Sequence, residues 1–242
     1  MFRSGSQSPV RVTFTSLRTV EDLAGRLGER LYADSAEFLA VMTDGNMARR
    51  FGFEPEEYIA MFIPNTYEFY WTVTPEGFAE RLSREYERFW DGERDGKLTR
   101  SGLTRAEAAT LASIVEEETA VSDEMATIAG VYINRIKKDM LLQADPTVKY
   151  AAGNMSLRRV LNKHLAIDSP YNTYIYKGLP PGSIRIPSVQ ALEAVLDYQQ
   201  SDYLFFCAKS DLSGRHAFAK TLAEHNRNAQ AYFKALNAAG IR

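Results

Sequence analysis

Residues 111–120 read "LASIVEEETA", three consecutive glutamates closing an apolar run. At about 3.6 residues per turn, Leu111, Ile114 and Val115 share one helix face, and Glu118 continues it at i+7, i+4 and i+3. Glu116 falls over Ala112 and Glu117 over Ser113, so the spacing predicts both as solvated and Glu118 as aimed into the core. A carboxylate is costly to bury without a partner. Desolvation favours its neutral form, and the negative end of the helix dipole pushes the same way. A carboxyl held protonated near neutral pH is what a general acid needs. The alternative is a structural ion pair, with Arg135 or Lys220 as the partner.

Upstream of this stretch, Thr104 and Glu107 form an N-terminal capping box that opens the helix "RAEAATLASIVEEE". Downstream, Ser122 or Asp123 is placed to cap a second helix, "EMATIAGVYINRIKKDM". Met125, Ile128, Val131, Tyr132 and Ile136 form its apolar side, and Lys137 and Lys138 suit its C-terminal dipole. Two helices joined by so few residues are expected to run antiparallel. "LLQADPTVKYAAG" then places Gln143, Asp145 and Thr147 in a turn whose amide and hydroxyl groups suit a polyol, although Asp145-Pro146 is also an ordinary turn starter.

Residues 168–187, "DSPYNTYIYKGLPPGSIRIP", hold four prolines, two glycines and three tyrosines. Restricted φ at the prolines allows a rigid loop without regular structure, and Pro181-Gly182 fits the centre of a type II turn. Tyr171, Asn172, Thr173 and Tyr174 offer stacking faces and hydrogen bonds for a sugar; a structural loop is the plainer reading. Ser188 begins the helix "VQALEAVLDY". "YLFFCA" reads as a buried strand, "KSDLSGR" as a turn and "HAFA" as the hairpin partner. Thr221 and Glu224 form a further capping box for the last helix, with Gly240 as its C-cap. His164, His216 and His225 lack metal-ligand spacing. His216, at the end of a hairpin strand, is the functional candidate; the other two read as structural.

Toward the N-terminus, the polar start "MFRSGSQSPV" is unpatterned. Residues 10–14 alternate as a strand. "TVEDLAGRLGERLY" follows with Val20, Leu23, Leu27 and Leu31 at helical spacing, and Ser35 precedes the short helix "AEFLAVM". These residues suggest a small α+β module over 1–60 with little core of its own. Residues 61–100 read as an aromatic connector and an amphipathic helix. Phe62, Tyr67, Phe69, Tyr70 and Trp71 suit packing between domains, or a sugar-stacking platform, and residues 75–90 carry Phe78, Leu82, Tyr86 and Phe89 on one side. "DGERDGKLTRSG" reads as a linker, leaving 101–242 as the catalytic domain. The expected fold class is α+β, a small N-terminal module followed by a mixed α+β domain.

The chain has 242 residues, 45% hydrophobic and 25% charged, ordinary globular values. A net charge of -2 argues against nucleic acid as a partner. The single cysteine, Cys207, excludes an internal disulfide framework and a multi-cysteine zinc site, and its apolar run suggests a buried structural thiol. No stretch approaches the roughly 18 to 20 apolar residues that span a bilayer, so a soluble polypeptide is expected. P-loop, G-x-G-x-x-G and G-x-S-x-G motifs are absent. No cofactor or metal is expected.

Taken together, "ASIVEEETA", "VYINRIKKDMLLQADPTVKYA", "SPYNTYIYKGLPPGSI" and "HAFAKTLAEHN" resemble, in order and spacing, the YceG-like family of endolytic murein transglycosylases. "IPNTYEFYW" resembles an upstream segment of that family, and the resemblance covers roughly residues 10–238. It implies a membrane-anchored envelope enzyme, acting on the extracytoplasmic side, that cuts glycan strands of nascent peptidoglycan internally to leave 1,6-anhydro ends and terminate elongation. Peptidoglycan synthases are implied as partners. The same resemblance implies Glu118, the glutamate followed by threonine, as the catalytic residue, and Gln143, Asp145, Tyr171, Asn172 and Tyr174 as groove residues, to which the turn adds Thr147 and the hairpin His216. The family's usual membrane helix has no counterpart here, and residues 10–27 match only the later part of the lysin-motif-like region that normally precedes the catalytic domain. A muramidase-type hydrolase, with Asp145 or Glu117 activating water, and a non-catalytic peptidoglycan-binding module remain the alternatives.

Overall fold

Val10–Phe14 forms β1 and pairs antiparallel with β2, Asn65–Phe69, from Val10 opposite Phe69 to Phe14 opposite Asn65. The computed structural model describes residues 8–240; the polar start at 1–7 lies outside the described residues. Between the two strands run α1 (Val20–Gly28), α2 (Ser35–Thr43), α3 (Gly45–Arg50) and a 3-10 helix at Pro55–Met61. After β2 come α4 (Pro75–Phe89), α5 (Gly92–Ser101), α6 (Arg105–Glu118), a 3-10 turn at Ser122–Glu124, α7 (Met125–Lys137), α8 (Asp145–Ala151) and α9 (Asn162–Leu165). The chain closes with α10 (Val189–Leu196), β3 (Phe205–Ala208), β4 (His216–Ala219) and α11 (Leu222–Ala238). The mixed α+β class is as the sequence suggests.

Two compact units emerge, Met1–Ser113 with Pro181–Val189, and Ile114–Pro180 with Gln190–Arg242. Their limits differ from 1–60, 61–100 and 101–242. The strand at 10–14 finds its partner inside the aromatic run, so the first unit reaches well past residue 60.

That unit has a substantial core, contrary to expectation. Its centre is Phe78 on α4, fully buried, which meets Phe38 edge-on at 5.6 Å, Phe69 at 5.3 Å and Phe62 in a stack at 6.4 Å. Phe62, Tyr67 and Phe69 therefore fill the interior of one unit rather than a seam between domains, while Tyr70 and Trp71 stay exposed. The alternation read in β1 puts Val12 and Phe14 inward onto Tyr67.

Helix starts follow the local chemistry with small shifts. Thr19 and Asp22 close a capping box on α1, and the helix ends at Gly28, so Leu31 packs from the turn beyond it. Asp34, not Ser35, caps α2. The supposed linker at 91–102 is instead α5: the Asp91 side chain accepts from the Arg94 amide at 2.9 Å, and Gly102 in the left-handed region at φ 78° ends the helix. Arg105 then holds Asp95 at 2.7 Å and Glu87 at 2.9 Å, and the Thr104–Glu107 box opens α6 as predicted.

Residues 181–189 return to the first unit, where Ile186 and Leu17 exchange backbone hydrogen bonds. Gly182 is not the glycine of a type II turn, since its φ is not positive. It is required by close approach: a Cβ there would lie 1.9 Å from the Glu56 carbonyl oxygen.

In the second unit, α7 is buried almost all round, and Gly130 lets the Gln199 carbonyl come close enough that a Cβ would sit 2.3 Å away. Neither Ser122 nor Asp123 caps α7. The 3-10 turn precedes it, and Asp123 pairs with Arg215 at 2.8 Å. β3 and β4 form the expected antiparallel hairpin, Phe205 opposite Ala219 through Ala208 opposite His216. β3 is half-buried rather than buried, and so is Cys207. α11 lies on this hairpin, with His225 stacked on Phe205 at 5.5 Å. Its capping box is only half made: Thr221 accepts from the Glu224 amide, but Glu224 accepts from Lys220. Among the described residues, no helix is long and apolar enough to cross a membrane.

Replacing Gly182 with alanine should destabilise the protein by about 1–3 kcal/mol, because the Glu56 backbone has to move. Gly25→Ala, in α1 with open space around the added methyl, should be neutral or stabilising by up to about 1 kcal/mol. Thermal unfolding of the pair checks this; equal midpoints would contradict the close-approach account.

Candidate active site

The last turn of α6 delivers Glu118 to a cavity of about 350 Å³ in the second unit. Residues 108–115 are buried around the whole helix circumference, Ala112 and Ser113 included, so the apolar stripe is not the only buried face. Consequently the three glutamates are all of intermediate exposure, and the expectation of a solvated Glu116 and Glu117 is not met. What separates Glu118 from its neighbours is its surroundings. It lines the cavity, and the Tyr132 hydroxyl, on the facing side of α7, donates to its Oε1 at 2.6 Å.

Burial is the main force on this carboxyl and pushes its pKa up to about 7. The Tyr132 hydrogen bond opposes the rise, the charge of Asp145 adds to it, Lys149 opposes it, and Glu117 adds a little. Neither suspected ion-pair partner is engaged. Arg135 donates through Nε to the Leu204 carbonyl at 2.6 Å and through Nη1 to those of Leu141 at 3.1 Å and Leu142 at 2.9 Å. Lys220 pairs with Asp202 at 2.9 Å. Glu118 is thus a hydrogen-bonded acid, not half of a salt bridge.

Opposite the helix end, the 143–145 segment supplies two further groups. Gln143 holds a left-handed backbone at φ 51°, uncommon for a residue with a side chain, and its amide donates to the Thr173 carbonyl at 3.0 Å. Its side-chain oxygen accepts from Arg135 at 3.5 Å. Asp145, at the start of α8, accepts from the Tyr174 hydroxyl at 2.6 Å; burial first and that bond second push the Tyr174 phenol up. Gln143, Asp145 and Tyr174 all line the cavity, as does His216.

Thr147, Asn172 and Tyr171 are not cavity residues. Thr147 is fully buried, its hydroxyl bonded to the Ala144 carbonyl at 2.7 Å and to the Thr173 hydroxyl at 2.8 Å. Asn172 is fully buried as well, its amide donating to Leu165 and Ile167 and its oxygen accepting from the Tyr174 amide. Thr147 ties the 143–147 segment to the tyrosine loop through Thr173, while Asn172 folds that loop on itself and so places Tyr174. Tyr171 packs against Tyr150, the rings tilted with centroids 4.6 Å apart, and does not line the cavity.

Four neighbours are not among the site residues expected from the sequence. Tyr132 was legible only as one apolar residue among several. Glu124 is buried and bonded to His216. Cys207 lines the cavity, with burial raising its thiol pKa, and is not a core thiol. His225, expected to be structural, also lines it: burial and then Arg135 lower its pKa, and its Nδ1 is buried without a hydrogen bond. His164 is structural, accepting from the Leu161 amide at 3.1 Å. Among the described residues, no group of three or more His, Cys, Asp or Glu is arranged to hold a metal.

Comparison with known proteins bears on this geometry. The sequence model of the YceG-like family matches residues 1–231. A protein of Bacillus subtilis (strain 168) named "Endolytic murein transglycosylase" is 48% identical over 128 residues, 53% of this chain and 35% of that protein. Its namesake from Streptococcus pneumoniae serotype 2 (strain D39 / NCTC 7466) is 39% identical over 130 residues, 52% of this chain and 23% of that one. The matches thus span about a third and about a quarter of the length of these relatives. A crystal structure of a yceG-like protein from Listeria monocytogenes superposes with a TM-score of 0.73 at 31% identity, covering 91% of this chain and 75% of that one.

The raised acid makes stability pH-dependent. Between about pH 4.5 and about pH 7 the unfolded chain loses the Glu118 proton while the folded chain keeps it, so this group's contribution falls as pH rises and levels off above 7. Glu118→Gln removes that loss. Denaturant melts should show it more stable than wild type above pH 7, by on the order of a few kcal/mol, and nearly equal to it below pH 4.5. Tyr132→Phe deletes the opposing hydrogen bond, so the Glu118 carboxyl should titrate higher still when followed by carbon NMR; a downward shift would contradict the assignment.

Proposed function

The chain belongs to the YceG-like family, and on that premise we propose that it is an endolytic peptidoglycan lytic transglycosylase with Glu118 as its acid and base. One observation carries the reading: a carboxyl with a pKa near 7, hydrogen-bonded rather than ion-paired, opening into a polar cavity. Such a group is protonated often enough at neutral pH to donate, and basic enough afterwards to accept.

Glu118 protonates the oxygen joining N-acetylmuramic acid to N-acetylglucosamine, and the C1–O bond breaks. The resulting carboxylate takes the proton of the C6 hydroxyl on the same muramic residue as that oxygen bonds to C1. A 1,6-anhydro ring closes. Because the nucleophile belongs to the substrate, no water has to be positioned, and the proximity advantage is large. Tyr132 steadies the carboxylate between the two steps. Asp145 is occupied by Tyr174 and raises the acid by its charge, a role that differs from activating water.

In this reading the second unit is catalytic, Gln143, Asp145, Tyr174 and His216 bound the glycan groove, and no cofactor takes part. The natural protein acts outside the cytoplasmic membrane, anchored to it, on nascent strands near the peptidoglycan synthases whose products it terminates.

Mass spectrometry of uncrosslinked strands digested by wild type and by Glu118→Gln tests the function. Anhydro-muramic ends with wild type, and activity reduced at least roughly a thousandfold in the variant, are expected. Reducing ends would instead support the muramidase, and strands left intact by wild type would support a binding module.

A further inference from the structure

Behind His216, which lines this cavity, stands a buried acid, Glu124, which belongs to neither the sequence motifs nor the glutamate run. Its side chain is only 8% exposed. Both oxygens are given to one residue: Oε1 accepts from the His216 amide at 3.1 Å, and Oε2 lies 2.9 Å from His216 Nδ1. The Arg215 guanidinium stands 3.7 Å from the same Oε1. With an amide and a cation facing Oε1, Glu124 acts as an acceptor, so Nδ1 carries the ring proton. The His216 ring is further fixed by Phe206, edge-on at 5.4 Å. Its Nε2 makes no hydrogen bond to any described residue, and His216 lines the cavity that holds Glu118. Phe206 meets Tyr132 edge-on at 5.8 Å, so the imidazole and the acid's partner flank one apolar ring.

A bare lone pair held in fixed orientation in a sugar cavity calls for a donor on the sugar. Closing a ring from C6 makes the new C1–O bond on the face the leaving oxygen vacates, so configuration at C1 is retained. A single in-line displacement inverts, whereas two displacements with the far face covered in between give retention. The substrate's own 2-acetamido carbonyl can do that, as in substrate-assisted glycosidases. We propose that His216 accepts the N–H of the muramoyl 2-acetamido group while that group's oxygen covers C1, and that Glu124 is the positioning residue that keeps Nε2 free to accept. The inference rests on the transglycosylase reading.

The bonds balance. The Glu118 proton moves to the leaving oxygen as the C1–O bond breaks and the acetamido oxygen bonds to C1. The positive charge spreads onto the acetamido nitrogen, whose N–H stays in place and leans on Nε2. The C6 oxygen then bonds to C1, the acetamido oxygen departs, and the C6 proton goes to the Glu118 carboxylate. His216 exchanges no proton. It stabilises charge that exists only between the two displacements, so its loss should appear in kcat more than in KM.

Glu124→Gln is the diagnostic variant. Its amide N–H2 would donate to Nδ1, moving the ring proton to Nε2 and turning an acceptor into a donor with little change of shape. Nitrogen-15 NMR of the imidazole should find the proton on Nδ1 in wild type and on Nε2 in the variant. With soluble glycan strands, Glu124→Gln and His216→Ala should each lower kcat by roughly a hundredfold with KM within about threefold, and the double variant should be no worse than His216→Ala. Unchanged unfolding midpoints separate this from misfolding, and His216→Ala, which keeps the backbone N–H to Glu124, guards against a Glu124 variant that does not fold. A flipped tautomer with unchanged kcat, or His216→Ala cutting as wild type does, overturns the inference while leaving the transglycosylase intact. Wild type that cuts nothing overturns the functional reading, and this one with it.

Discussion

Desolvation of one carboxyl governs the second unit. A helix that ends by pointing a glutamate into its own protein leaves that group short of water, and the options are a cation, a hydrogen-bond donor or a proton. Here the donor is Tyr132 and the proton stays to about pH 7. A cation at bonding distance would have stabilised the fold and removed the acid. Arg135 stands close enough to be the obvious candidate, yet its guanidinium is spent on three backbone carbonyls and the Gln143 side chain. The arrangement trades an ion pair for chemical reactivity.

Around that carboxyl, groove and scaffold divide the polar residues. Thr147 and Thr173 form buried hydroxyl bonds that tie the 143–147 segment to the tyrosine loop, and Asn172 braces that loop from within. Through these bonds, Gln143 keeps its left-handed backbone and Tyr174 reaches Asp145. A groove built on irregular loops is as sharply placed as one on helices when its supporting hydrogen bonds are satisfied. The proline-rich stretch adds rigidity at the chain level.

Much of this was legible in the sequence, and the failures have physical causes. Periodicity singled out Glu118 because a helix face is a local property, and capping chemistry located the start of α6. Periodicity could not find Tyr132 or Glu124, since their roles depend on which residues meet across the fold. It also misjudged Thr147 and Asn172: polar residues in a turn look the same whether they face a ligand or satisfy the backbone. Glu116 and Glu117 failed because residues 108–115 of α6 are buried all round, which leaves the helix no clean solvent side to continue. The supposed linker was misread for composition; its Gly and charged residues sit in a capped helix held by Arg105. The module with little core was misread because β2 completes it from outside the stretch considered.

Arg135 has one further consequence. A single planar fork holds the carbonyls of Leu141 and Leu142 on one side of the cavity and of Leu204, next to β3, on another. Segments far apart in the chain thereby share one fastener, and burial makes losing any of its bonds expensive. An ammonium could not replace it, because lysine lacks the fixed fork that reaches separate acceptors at once. The walls of the groove are therefore bound into one cooperative unit, opening together or not at all, and amide exchange along both should report a common opening free energy.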